Sequence, residues 1–368
     1  MKPRLLSIFG ARPQFIKAAP LIHAIEEVGD FEHLGLHTGQ HFDQNMSEVF
    51  FRELAIPAPL ENLEVGPGTH AKQTGKMMVG IEKFLLRHKP DMLLVYGDTN
   101  STLAGATAGV RLGLPIAHIE AGLRSFNRRM PEEINRIVAD RFADLLFAPT
   151  KAAQKNLLTE GFAEQSVHLV GDLMVDAVQK QSERAAGQSK VLEDLGLAAG
   201  EYLLATFHRQ ENTDDPARLR NIWEALRELS ESNKLVLPLH PRTRQRLEAE
   251  GLSLDAEPGP IVTEALGYLD TLHLLANSKL LLTDSGGMQK EAFALGLPTV
   301  TLRAETEWLE LVEAGANRLA DPSSKQTILE AAKAMENVRV DPSKYDFYGA
   351  GRAAERIHEQ IKNYVEKG

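Results

Sequence analysis

The sequence predicts an α/β protein built from two successive doubly wound parallel sheets. Three observations carry that expectation. Short apolar runs alternate with helical patterns along almost the whole chain, as in a parallel sheet covered on both faces. The alternation lapses once, in the polar stretch Gln179–Gly200, and then resumes. Polar and charged residues gather directly after the apolar runs, at the carboxyl strand ends where such sheets take their ligands.

The first run, Arg4–Phe9, ends at Gly10 and leads through Arg12-Pro13 into the helical stretch Gln14–Val28. Proline there suits a first helical turn. Further strands are expected at His33–Thr38, Met92–Tyr96, Ile116–Glu120, Leu145–Ala148 and Val167–Val170. Helices are expected at Phe42–Leu54, Ala71–Arg87, Thr99–Leu112, Glu132–Phe142 and Lys151–Glu160. The second half repeats the pattern with strands Tyr202–Thr206, Leu235–Leu239, Ile261–Glu264, Leu280–Thr283 and Thr299–Leu302. Its helices are Pro216–Glu231, Arg242–Ala249, Tyr268–Asn277, Met288–Leu295, Glu307–Glu313 and Gln326–Asn337.

A chain of 368 residues can hold two domains, each with its own core. The expected division is a Rossmann-like domain over 1–172 and a second over 173–349. They would face each other across a cleft, joined through Gln179–Gly200. The last helix, Arg352–Glu366, follows the Gly349-Ala-Gly351 break and would return residues 350–368 to the first domain.

Composition excludes several functions. A net charge of −10 argues against a nucleic-acid partner, which favours a basic face. With no cysteine, disulfides, thiolate catalysis and thiolate-bound metals are excluded. The apolar run near the N-terminus is too short for a signal peptide, and no stretch approaches the ~20 apolar residues of a membrane helix. The protein is therefore expected in the cytoplasm, without a membrane partner.

The densest chemistry lies in His118–Arg136, where nineteen residues hold three carboxylates, four arginines and a histidine. So many charges beside a buried strand are costly unless they bind one another or a charged ligand. Asp98, after the run Leu93–Tyr96, and Glu120, closing the next strand, bring two acids to adjacent strand ends. Paired carboxylates in a shielded site can hold different protonation states, which reversible proton transfer needs. The bland alternative is a helix-surface ion pair between Glu132 and Arg136, four residues apart, and a second near Glu120 and Arg124.

Four other motifs stand at strand ends. Arg12 and Lys17 lie at a strand-to-helix turn suited to an anion, though an ordinary surface turn would look the same. The G-x-G-x-x-G spacing of a dinucleotide site is absent from it. Ser285-Gly286-Gly287 falls where a helix must begin, and its glycines would let a diphosphate approach the backbone. Glu291, one turn on, could accept hydrogen bonds from a ribose diol. The alternative is a helix cap without a ligand. His208 and Arg209 end the first strand of the second half and are candidates to face a ligand. At His240-Pro-Arg242, a turn held by Pro241 and a ligand role are equally compatible with the sequence.

Together these residues resemble a known family. Gly10-Ala-Arg-Pro, His37-Thr-Gly-Gln-His41, Gly97-Asp-Thr99, His118-Ile-Glu-Ala-Gly-Leu-Arg124, Pro131-Glu-Glu-Ile-Asn-Arg136, His208-Arg209 and Thr283-Asp-Ser-Gly-Gly287 are similar, in order, to the motifs of the non-hydrolysing UDP-N-acetylglucosamine 2-epimerases. The resemblance implies a GT-B-type fold, a UDP-sugar substrate, usually a homodimer, and neither nicotinamide nor another cofactor nor a metal. The implied reaction inverts C2 by eliminating UDP to a 2-acetamidoglucal and adding it back. Asp98, Glu120, Glu132 and His208 fall on the family's catalytic positions. Arg12, Lys17 and Arg136 fall on substrate-holding ones, with Ser285, Gly286 and Gly287 on the diphosphate and Glu291 on the ribose; Arg209 and His240 join this substrate-binding set.

The chain also departs from the commonest family pattern, at Thr306-Glu-Trp-Leu-Glu310, at His208-Arg-Gln-Glu211 and across Gln40–Glu48. These departures look like the branch acting on UDP-2,3-diacetamido-2,3-dideoxy-glucuronate, whose mannuronate epimer enters O-antigen and related polysaccharides. Arg128, Arg129 or Arg303 would then answer the substrate carboxylate. The alternatives are UDP-N-acetylglucosamine as substrate, a hydrolysing epimerase, a GT-B glycosyltransferase and a non-catalytic sugar-nucleotide sensor.

Overall fold

The computed structural model describes residues 2–40, 51–255 and 257–367. Among them the chain divides into two compact units, residues 1–177 with 346–368, and residues 178–345.

The first unit holds a parallel sheet in the order β3-β2-β1-β4-β5-β6-β7. Its strands are β1 (Arg4–Phe9), β2 (Glu32–His37), β3 (Glu61–Asn62), β4 (Met92–Tyr96), β5 (Ile116–Ile119), β6 (Leu145–Ala148) and β7 (Val167–Leu169). Strands β4, β5 and β6 are buried throughout, as continuous apolar runs require when helices cover both faces. Leu6, Ile8, Leu93 and Val95 pack with Met77, Ile81 and Phe84 of the helix His70–His88.

The second unit repeats the plan with the order β10-β9-β8-β11-β12-β13. Here β8 is Tyr202–Thr206, β9 Lys234–Leu239, β10 Ile261–Glu264, β11 Leu280–Thr283, β12 Thr299–Thr301 and β13 Asn317–Leu319. Trp223, Leu237, Leu282 and Ile328 centre its core. In both sheets the chain order reverses beside the first strand, between β1 and β4 and again between β8 and β11. Loops leaving those strands diverge there and open a crevice. Arg12, Lys17 and Asp98 follow the first pair; His208, Arg209 and Ser285–Gly287 follow the second.

Helix starts obey local chemistry. Thr99 Oγ1 accepts the Thr102 N–H at the head of Asn100–Arg111. Asp215 accepts two N–H groups, from Ala217 and Arg218, before Pro216–Ser230. Several boundaries differ from the sequence expectation. Strand β5 stops at Ile119, because Glu120 takes a left-handed backbone (φ 70°). The helix expected from Glu307 begins at Leu309, since Trp308 is not helical (φ −107°, ψ 64°). The helix expected from Met288 begins at Gly286. Strands β3 and β13 and the short helix Gln210–Thr213 were not anticipated. The connection expected over Gln179–Gly200 begins inside a helix, Leu173–Gln188, along which the chain passes from the first unit to the second. Most of Phe42–Leu54 lies outside the described residues.

The final helix, Ala353–Lys367, packs beside Arg12–Val28 of the first unit. Its first N–H groups, of Ala353 and Ala354, bond the buried Asp176 carboxylate at 3.2 and 2.8 Å. Burial, only partly offset by those bonds, pushes the Asp176 carboxyl up to about 6. An acid that binds its proton more tightly when folded adds stability at low pH and loses it as pH rises toward that value. Urea unfolding of wild type and Asp176→Asn between pH 4 and 7 should therefore diverge. The wild type should lose on the order of 2–3 kcal/mol relative to the variant across that window. Parallel pH profiles would refute this account of Asp176.

Candidate functional site

The two strand-end acids of the first unit, Asp98 and Glu120, are each held by a cation from another element. Lys17, on the helix after β1, pairs with Glu120, just past β5. Arg136, on the helix Pro131–Phe142, pairs with Asp98, just past β4, and with Glu133 at 3.0 Å. Lys17 and Arg136 are each 13% exposed, so their charges act where water screens them weakly. These pairs replace the Glu132–Arg136 and Glu120–Arg124 pairs expected from spacing. The reason is orientation: Glu133 is buried and turned to the Ser125–Phe126 loop, whereas Glu132 is exposed on the same first turn and joins none of the pairs.

Two glycines make this crowding feasible. A Cβ on Gly97 (φ 62°) would lie 3.1 Å from the Glu120 carboxylate. One on Gly122 (φ 81°) would lie 2.4 Å from the Ala153 carbonyl. Gln14 stitches the β1 turn to β4: its Oε1 accepts the Gly10 and Ala11 N–H groups, and its Nε2 donates to the Tyr96 carbonyl at 2.9 Å. Asn135 Nδ2 donates to the Asp98 carbonyl at 2.9 Å. Arg12 stands half-buried at the start of its helix.

Next to the acids lies a second cluster, fully buried at His118 and Asp140. His118 Nδ1 is 2.6 Å from Asp140 Oδ1, and its Nε2 is 2.7 Å from the Gly97 carbonyl. Arg124 reaches Asp140 at 2.7 Å and Glu160 at 2.7 and 2.8 Å. Burial opposes the charge on Asp140, but His118 and Arg124 outweigh it and hold the carboxyl below its usual range. Burial likewise opposes charging His118, yet Asp140, the Gly97 carbonyl and the nearby Glu120 raise its pKa. Glu133 is also buried, which disfavours its charge. The Ser125 N–H and hydroxyl, the Phe126 N–H and Arg136 reverse that and keep it low. This clamp holds Phe126, 79% exposed, in a left-handed backbone (φ 56°).

In the second unit Asp284 is the organising carboxylate, with no exposed surface. It accepts the His208 N–H at 3.1 Å, the Arg209 N–H at 3.0 Å and the Asn212 amide at 3.0 Å. The turn after β8 is thus fastened to the end of β11, and the His208 side chain stays 56% exposed. Ser285 Oγ accepts from Met288 N as Gly286–Ala294 begins, so N–H groups are left for an anion. Trp308 closes one side: its indole donates to the Gly286 carbonyl at 3.0 Å, and Lys290 Nζ lies 4.2 Å from its ring centre. Glu291 is buried on this helix. His240 is exposed and its Nδ1 accepts the Arg242 N–H at 3.3 Å, which is the turn-capping role. Arg303, one of three arginines expected to answer a substrate carboxylate, already holds Glu307 at 2.8 and 3.2 Å, whereas Arg128 and Arg129 are exposed.

Sequence reasoning did not single out Gln14, Asp140, Asp284 or Glu307. Asp284 alone had a local signal, an acid between a buried strand and a Ser-Gly-Gly helix start. Among the described residues, no group of three or more His, Asp or Glu side chains is arranged to hold a metal ion.

Known proteins are similar to this chain in sequence and fold. A crystal structure of Methanocaldococcus jannaschii UDP-GlcNAc 2-epimerase in complex with UDP-GlcNAc and UDP matches 99% of this chain and 100% of its own, with 41% identity and a TM-score of 0.85. A UDP-2,3-diacetamido-2,3-dideoxy-D-glucuronate 2-epimerase of Pseudomonas aeruginosa is 49% identical over 97% of this chain and 99% of its own. The UDP-N-acetylglucosamine 2-epimerase of M. jannaschii is 43% identical over 96% of this chain and 97% of its own. These likenesses define an isomerase, a UDP-sugar 2-epimerase. The family model described as UDP-N-acetylglucosamine 2-epimerase matches residues 23–362, and the chain belongs to that family.

The two neighbouring glutamates separate by stability. Replacing Glu133 by alanine takes one of Arg136's two carboxylates and strands three donors, and should cost about 3 kcal/mol in urea unfolding. Glu132→Ala should stay within about 0.5 kcal/mol of wild type. Equal losses in the two would contradict the orientation described.

Proposed function

We propose that the protein epimerises UDP-2,3-diacetamido-2,3-dideoxy-glucuronate at C2 to its mannuronate epimer, without hydrolysis. The observation that carries the chemistry is the pair of acids, Asp98 and Glu120, at neighbouring strand ends, each beside its own cation. One carboxylate takes the C2 proton as the C1–oxygen bond to UDP breaks, which leaves a C1–C2 double bond. UDP then re-forms the bond at C1 while a proton is delivered to the opposite face of C2. Protons and electrons balance within the sugar, so the cycle consumes no redox partner.

The remaining roles follow from charge and reach. Arg12, Lys17 and Arg136 would neutralise substrate and leaving-group charge, and Glu132 and His208, both exposed, are free to meet it. The N–H groups of Gly286 and Gly287 and the Ser285 hydroxyl, with Arg209, suit a diphosphate, and Glu291 suits the ribose. His240, already capping its own turn, would contact substrate only through its outer ring edge.

The diacetamido-glucuronate is favoured by the 49% identical relative and by Arg128 and Arg129, exposed beside the acid-bearing loop, where a sugar carboxylate would find partners. UDP-N-acetylglucosamine is the second reading, because relatives named for it are 45% and 43% identical. A cytoplasmic homodimer is part of the proposal.

Proton NMR in D2O tests the assignment, with each UDP-sugar supplied separately and no acceptor present. Deuterium should enter C2 of the diacetamido-glucuronate as the manno epimer appears; exchange confined to UDP-N-acetylglucosamine would transfer the assignment to the second reading. Asp98→Asn and Glu120→Gln should each lose about 100- to 10,000-fold in turnover while still binding UDP. Unchanged turnover in both would remove the acids from the mechanism.

A further inference from the structure

The His118 cluster has a role beyond holding the core together. Its Nε2 faces the Gly97 carbonyl at 2.7 Å, and a carbonyl oxygen only accepts, so Nε2 carries a hydrogen. Its Nδ1 faces Asp140 at 2.6 Å. That carboxylate also takes the buried Arg124 guanidinium at 2.7 Å and the Gly122 N–H at 3.2 Å, and the guanidinium charge beside it favours the ionised, accepting form. Nδ1 therefore carries a hydrogen too. A ring that donates from both nitrogens is an imidazolium, here with no exposed surface.

The residues it joins are the ones next to the acids. Gly97 immediately precedes Asp98. His118 lies two positions before Glu120 in the chain, and Asp140 fixes Gly122 two positions after it. One charged ring thus ties the turn carrying Asp98 to the turn carrying Glu120. We infer that His118 is a positioning residue that works as a fixed imidazolium, setting the separation of Asp98 and Glu120 for proton transfer at C2. It touches neither substrate nor reacting atoms, and it exchanges no proton in the cycle. The charged groups that face it are Asp140 on its own side, Arg124 beyond Asp140, and Glu120 above. This role rests on the proposed C2 chemistry, but the state of the ring does not.

Two measurements separate those dependences. Nitrogen-15 NMR of histidine-labelled wild-type protein should show both His118 ring nitrogens protonated from pH 6 to pH 9. The resonance is assigned by its loss in His118→Gln. A neutral tautomer anywhere below pH 8 would overturn the inference, whatever the enzyme turns over. In kinetics, His118→Gln should lower kcat about 100-fold with KM changed less than threefold, as expected for misplaced but present catalytic groups. Wild-type kcat in a folded His118→Gln protein would also overturn it. Should that variant fail to fold, Asp140→Asn provides the second arm: the ring should lose its charge and kcat should fall with KM held. A ring still charged in Asp140→Asn, or an unchanged kcat, would refute the role. If wild type exchanges no C2 proton in any UDP-sugar, the proposed function fails, and the NMR result still decides the state of His118.

Discussion

The first unit depends on one buried carboxylate. Asp140, with no exposed surface, takes His118, Arg124 and the Gly122 N–H, and Arg124 in turn holds Glu160. Charges removed from water are tolerable only when each finds partners of good geometry, and removing one strands the rest. The ends of β4 and β5, the loop beyond Glu120 and two helices therefore stand or fall together. Asp98 and Glu120 adjoin that cluster; Lys17 reaches Glu120 from the helix after β1, and Arg136 reaches Asp98 from the helix that carries Asp140.

The second unit solves a simpler problem with the same device. Asp284 pins the turn after β8 through backbone N–H groups rather than through a charged ring. Nothing there needs to move a proton within the cluster. What is required is a stationary helix start with unspent N–H groups, and a capping serine followed by two glycines gives it. Arg209, 3.9 Å from Glu307, keeps a cation close to that start. The two units thus use a buried acid differently: Asp140 binds a ring and a guanidinium, Asp284 mainly backbone N–H groups.

Much of the fold was legible because buried parallel strands announce themselves as apolar runs such as Leu93–Val95 and Leu280–Leu282. The strands that escaped, β3 and β13, are too short to leave a pattern and exist by pairing with β2 and β12. Acids at strand ends were legible for the same reason the strands were. Their partners were not. Lys17 and Glu120 lie 103 positions apart, and nothing local in either segment reveals the pairing. Helical spacing also misled: it offered Glu132 to Arg136, while the turn of the helix gave that role to Glu133. Local periodicity reports which face a residue occupies only when the helix start is known to within a residue.

Glu120 sits in a left-handed backbone that non-glycine residues adopt at a cost of about 1 kcal/mol or more. Glycine would suit the turn better, and Asn would suit it nearly as well. The chain retains a strained glutamate at the one position where relaxation would delete a carboxylate from the proposed proton path. Selection for stability alone would act against this residue, so a library screened only for folding should drift toward glycine at 120 and fall silent.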